Sequence, residues 1–266
     1  MTQQLTELDG ANTSPTGVEV YWMPGCTSCL RMKEFIEKAG VQYESINVDE
    51  EPERGKKLQK HNLILPAACI GDRCVNGVDL GAVADLIGVE YEAPVILPPE
   101  ELINRYRLIS DSLIRYIKQM TPEVIDYYLP GRDRPMIFVA SHAAYLARIF
   151  LTAYYDDKYD AMHTYLIHEK INAKKSPDIA LDLAAETRKM LDEWWEIDGV
   201  DDPMERVVET YWGHRTLHEV LEREVWHTTQ HTRQVQYALE ECGITPDGPI
   251  TAAQLAGLPL PERIHD

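Results

Sequence analysis

Positive charge is scarce in this chain: 26 Lys and Arg stand against 44 Asp and Glu in 266 residues, a formal net charge of −18. Phosphate backbones are held by clustered cations, so no nucleic-acid partner is expected. The acidic surplus is larger in residues 91–266 than in 17–90 and reads as a solubilising surface. No apolar run stands out as a membrane span, so no membrane partner is expected. Residues 1–16 are polar, without the apolar centre of a secretory signal, and are expected to form a flexible leader. Cysteine is also scarce, five in all. An odd number with one reactive pair suits a reducing compartment better than a disulfide scaffold, which predicts a cytoplasmic protein. Internal repeats and low-complexity tracts are missing, and a homodimer is left open.

Against that background one motif stands out, Cys26-Thr27-Ser28-Cys29. It follows the alternating run Val18-Glu19-Val20-Tyr21 and precedes a segment with apolar residues at helical spacing that stops at Gly40. A Cys-x-x-Cys pair between a strand and a helix is a redox placement. Cys26 falls at the helix N-terminus, where unpaired N–H groups and the dipole favour the nucleophilic thiolate. Cys29, one turn inside, can then close a disulfide that another thiol reopens. Half of a zinc site is the competing reading, but it needs a second pair of similar spacing. Cys69 and Cys74 are five apart, and Cys69 lies in an apolar run that reads as a strand.

A second strand around Tyr43 to Val48, a polar helix from Pro52 and the text around Leu65-Pro66 and Asn76-Gly77-Val78-Asp79 follow. Residues 17–90 thereby resemble the glutaredoxin family, which has a thioredoxin-like α/β fold. The resemblance implies a cis Leu65–Pro66 peptide beside the cysteines, with the Leu65 backbone open to glutathione or another low-molecular-weight thiol. It also implies that Gly77 and Asp79 lie near the thiol's γ-glutamyl end. The sequence departs from the family at Thr27-Ser28, at Met23 and at Leu80.

The remaining length calls for a second domain. Residues 91–98 are rich in proline and read as a stiff linker. At about 3.1 Å per residue such a linker separates two domains by roughly 25 Å at most, too far for their sites to touch unless the domains fold over each other. Beyond it, four long helical patterns with no strand signal between them predict an all-α four-helix bundle over 99–244. A proline-containing extension, 245–266, follows.

The fourth helix carries His227 and His231, four apart and one turn above the other on a helix face. Val220, Glu224, Val235 and Ala238 fall on the same stripe, so the pair points inward. Two core histidines satisfied by hydrogen bonds would give the same pattern. His142, directed inward from the second helix, tips the balance towards a three-histidine metal site with open positions. Glu224 is then a candidate base or a partner for a ligand. His163 and His168 are the next pair to consider, whereas His214 and His218 read as cap or solvent residues.

Residues 99–242 also resemble the DinB-like superfamily of metal-binding four-helix bundles, through His142 and the His227-x-x-x-His231 motif. That resemblance implies a divalent metal, with zinc first and nickel or iron also suited to three imidazoles. The expected function is a thiol-dependent metalloenzyme. Its dithiol serves a metal site that activates a small thiol for transfer, isomerisation or redox chemistry on an electrophilic or disulfide substrate. Two other readings remain: a simple thiol–disulfide oxidoreductase whose bundle recognises a client protein, and a non-catalytic metal or redox sensor.

Overall fold

A computed structural model describes residues 17–159 and 175–265; the leader and the histidines at 163 and 168 lie outside the described residues. Val18–Trp22 (β1) leads into Thr27–Lys38 (α1), Tyr43–Asn47 (β2) and Pro52–Lys60 (α2). Ala67–Ile70 (β3), Arg73–Asn76 (β4) and Leu80–Ile87 (α3) complete the first unit. The sheet order is β2-β1-β3-β4, with β1 parallel to β2 and antiparallel to β3. Alternation along β1 explains the layering. Val18 and Val20 pack with Met32 and Ile36 of α1 and Val83 of α3, while Tyr21 points to the other face beside Leu58 of α2. This is a thioredoxin-like α/β unit.

The helical unit begins with Pro99–Lys118 (α4) and the short Pro122–Ile125 (α5). Met136–Asp156 (α6) and Pro177–Trp194 (α7) follow, and α7 runs on into a π-helical turn at Trp195–Gly199. Leu217–Glu241 (α8) is the longest helix. It opens with a reciprocal capping box between Thr216 and Glu219 and ends at Gly243, whose φ of 75° is the left-handed conformation glycine adopts freely.

Two expectations need correction. The stretch before α8 is not strand-free: Val207–Thr210 (β5) and Gly213–Thr216 (β6) form an antiparallel hairpin. β-Branched residues favour the pleat, and the Thr210 hydroxyl closes the turn by donating to the Gly213 carbonyl at 2.7 Å. In addition, α6 is long and apolar enough to cross a membrane by length and composition. With 78% of its apolar window buried, it behaves as a core helix enclosed by α7 and α8.

The two units are folded onto each other, so the linker does not hold them apart. Val78 packs into the core of the helical unit beside Leu102 and Trp212. Asp79 forms an ion pair with Arg215 of β6. His218 Nε2 hydrogen-bonds the Leu97 carbonyl at 2.8 Å, pinning the linker to α8. The C-terminal extension runs along α8 and reaches α1. There the buried Glu34 carboxylate accepts the backbone N–H groups of Glu262 and Arg263 at 2.8 and 2.9 Å.

A charge-assisted hydrogen bond of this kind contributes about 1.5–3 kcal/mol. Glu34→Ala should therefore speed amide hydrogen exchange at Glu262 and Arg263 by at least about tenfold. Unchanged protection at both amides would show that the extension is held by other contacts.

Candidate functional site

Cys26 is the N-cap of α1, and its sulfur accepts the Cys29 N–H at 3.1 Å. The α1 first turn holds no acidic residue, so no carboxylate in that turn works against the helix N-terminus beside Cys26. Cys26 and Cys29 are joined as a disulfide. Cys29 is fully buried, whereas Cys26 is only partly covered, so Cys26 presents the accessible sulfur. Cys69 and Cys74 are joined as well, facing each other in register across β3 and β4, which leaves Cys242 as the free cysteine. The sequence reading found the reactive pair but did not foresee the Cys69–Cys74 bond. The signal was a hairpin turn midway between Cys69 and Cys74.

The Leu65–Pro66 peptide is cis, and both residues share a cavity with Cys26. Gly77 donates its N–H to the Pro66 carbonyl at 2.8 Å, and a Cβ there would stand 2.1 Å from the Met32 sulfur. Close backbone approach therefore demands glycine. Asp79 does not face the Cys26 cavity. Its carboxylate caps α3 through the Ala82 N–H at 3.0 Å and pairs with Arg215, beside a neighbouring cavity of about 390 Å³.

His142 of α6 and His227 and His231 of α8 converge as the α8 stripe dictates. One nitrogen from each lies within 4.8 Å of the others, and the ring centroids are 4.9–5.4 Å apart. His231 is buried and the other two are partly buried. Burial, aided by the Arg223 guanidinium, holds the His227 pKa well below the usual imidazole range, so the ring is neutral. Gln234 orients His231: its Nε2 donates to the Ile264 carbonyl at 2.9 Å, which turns Oε1 towards His231 Nδ1 at 2.8 Å. Nδ1 must then carry the proton, leaving the Nε2 lone pair free for a ligand bond. Glu224 stands behind His227. Its Oε1 accepts from Tyr159 and Arg223, both at 2.6 Å, while the buried Oε2 has no hydrogen-bond partner and lies 3.9 Å from His227 Nδ1. Three converging imidazoles, one of them held by an amide acceptor behind it, suit a divalent cation.

The decisive placement is that all three histidines line the same cavity as Cys26, about 160 Å³, between the two units. Residues 18–75 match the glutaredoxin family model. The match assigns the N-terminal unit to thiol–disulfide exchange. No curated protein matches the chain.

The sequence reading missed Gln234, Arg223 and Tyr159. Gln234 and Arg223 stand three and four residues from a histidine on α8, so helical spacing alone could have flagged them. Tyr159 and the arginines at 132 and 134, which also line the cavity, come from segments without regular spacing.

In the neighbouring cavity, burial pushes the Glu222 carboxyl up to about 7 against the opposing pull of Arg31. A carboxyl raised above its ordinary 4.5 binds its proton more tightly folded than unfolded, so stability falls as pH rises from about 4.5 to about 7. Glu222→Gln should remove that part of the slope and stabilise the protein above pH 7. Urea midpoints at pH 5 and pH 8 test it; an unchanged difference between the two contradicts the shift.

Proposed function

We propose that the chain is a thiol-dependent metalloenzyme in which the glutaredoxin-like dithiol and a three-histidine metal site work on one bound molecule. The single observation supporting this is the shared cavity, with Cys26 on one wall and His142, His227 and His231 on the other. The DinB-like part of the reading rests on the histidine motif and the helical architecture. A divalent cation held by those histidines, zinc by preference, would supply Lewis acidity that favours the thiolate form of a small thiol such as glutathione.

The residues of the chain divide the work. The Cys26 thiolate attacks a substrate disulfide, forming a new S–S bond to one sulfur while the other leaves as a thiolate. Cys29 then attacks the Cys26 sulfur, closing the Cys26–Cys29 disulfide and releasing the second thiolate. Two electrons pass from the dithiol to the substrate, and a small thiol regenerates the dithiol. Leu65 and Pro66 shape the wall against which that molecule lies. Glu224 anchors Arg223, whose Nη1 donates to His227 Nδ1 at 3.2 Å, so Glu224 positions the ring through Arg223.

Cys26→Ser should reduce turnover of a small disulfide below detection, whereas Cys29→Ser should retain exchange that stops at the mixed disulfide. Iodoacetamide labelling Cys29 ahead of Cys26 at neutral pH would reverse the assignment. Separately, replacing His142, His227 or His231 by alanine should weaken divalent-metal affinity by at least about tenfold, with helicity retained. Elemental analysis showing equal metal in the wild type and the triple alanine variant would sink the metal site. The chain would then read as a plain oxidoreductase whose helical unit recognises a client.

A further inference from the structure

The shared cavity has the opposite sign to the rest of the molecule. In a chain of net charge −18, its lining includes Arg132, Arg134 and Arg223 and no carboxylate. Arg223 is neutralised by Glu224 at 2.6 Å. The other two have no such partner among the described residues. Arg132 is 8% exposed; its Nη1 reaches only the Gln234 amide oxygen, at 3.3 Å, and its Nε is buried without an acceptor. Arg134 lies with its guanidinium 4.9 Å from the centre of the Phe138 ring and forms no ion pair with a described residue. Burial and the like charge of Arg134 bring the Arg132 pKa down to about 10, so it is still a cation at neutral pH.

A buried guanidinium with unused donors is costly unless an anion completes it. Its position says where that anion sits. The Arg132 side chain lies flat on Gly25, where an added Cβ would fall 2.4 Å from Arg132 Cδ, and Gly25 immediately precedes Cys26. A molecule whose sulfur meets Cys26 therefore has Arg132 within reach of an anionic group that it carries. A metal cation on the histidines would add positive charge to the same cavity and deepen the demand for an anion.

We propose that this cavity selects thiols bearing a carboxylate, and their disulfides, with Arg132 and Arg134 from the helical unit holding the carboxylate while Cys26 engages the sulfur. The inference rests on the reading of the cavity as the place where Cys26 meets substrate, but not on the metal. Arg132 and Arg134 are specificity residues here; neither takes part in sulfur chemistry.

Two alkylating probes that differ chiefly in charge test it, in reduced, chelator-stripped Cys29→Ser protein. Iodoacetate and iodoacetamide react alike: the Cys26 thiolate forms a C–S bond to the methylene carbon and iodide leaves. The ratio of the two rates cancels the thiolate fraction, so a changed Cys26 pKa does not enter it. Relative to the uncharged N-acetylcysteine amide, Cys26 should favour iodoacetate by about tenfold at low ionic strength, with the preference shrinking as salt is added. Arg132→Gln and Arg134→Gln should each lower the ratio severalfold. If Arg132→Gln does not fold, the partly exposed Arg134→Gln carries the test. A wild-type ratio equal to that of N-acetylcysteine amide, or one unmoved by the Arg134 substitution, overturns the proposal. Because metal is stripped throughout, either result stands apart from whether the histidines bind a cation.

Discussion

Helix α8 carries Glu224, Gln230, His231 and Gln234 fully into the interior, and each needs partner atoms that a plain four-helix packing does not offer. An unmatched buried polar group costs about 1–3 kcal/mol, so this stripe must be answered from outside the bundle. Much of the remaining chain answers it. The C-terminal extension turns its carbonyls inward, with Gln230 donating to Arg263 and Ile264 and Gln234 to Ile264. Tyr159, three residues beyond α6, reaches Glu224. Arg223 is shared between Glu224 and the Tyr211 hydroxyl at the hairpin turn, and its guanidinium lies 4.9 Å from the centre of the Trp212 ring. The hairpin and the extension are thus the parts that let α8 keep a polar site inside an apolar bundle.

The same stripe ties the extension to chemistry. Ile264 fixes the Gln234 amide, Gln234 fixes the His231 tautomer, and the residues just before Ile264 are clamped by Glu34 of α1, one helical element beyond Cys26. A short hydrogen-bond relay therefore runs from the helix that begins at Cys26 to a histidine facing Cys26 across the cavity. Each link is direct, and no motion has to be invoked for the two sites to hold their geometry together.

What could be read beforehand follows periodicity. The strand–Cys-x-x-Cys–helix order and the inward stripe of α8 are regular repeats of two and of 3.6, and both led to residues that line one cavity. The cis Leu65–Pro66 peptide came from family resemblance instead, since nothing local distinguishes it from a trans bond. The hairpin before α8 escaped because its strands are four residues each, too short to show alternation. The docking of the two units escaped for another reason. A proline-rich linker limits reach but says nothing about direction, and the surfaces that meet are joined by single contacts such as Val78 in the helical core and Asp79 with Arg215. Asp79 itself shows the limit of transferring a role by motif: the residue is where the pattern places it, but its carboxylate is already engaged by the second domain.

That engagement argues for why the two units share one chain. A cavity of about 160 Å³ walled by both units exists only while they are docked. The contacts between them include a few ion pairs, one inserted valine, a pinned linker, a clamped extension and Arg132 lying on Gly25. Exposed or half-exposed ion pairs contribute little each, so free units carrying these contacts would associate weakly. Covalent linkage turns that weak association into an intramolecular one at an effective concentration of order millimolar for a short connection. The connection is pinned to α8 at Leu97 and the extension is clamped to α1 at Glu34, so the two units are joined at two points. Two attachments restrain the units more than a single linker would, which helps to keep the Cys26 sulfur and the histidines on one cavity.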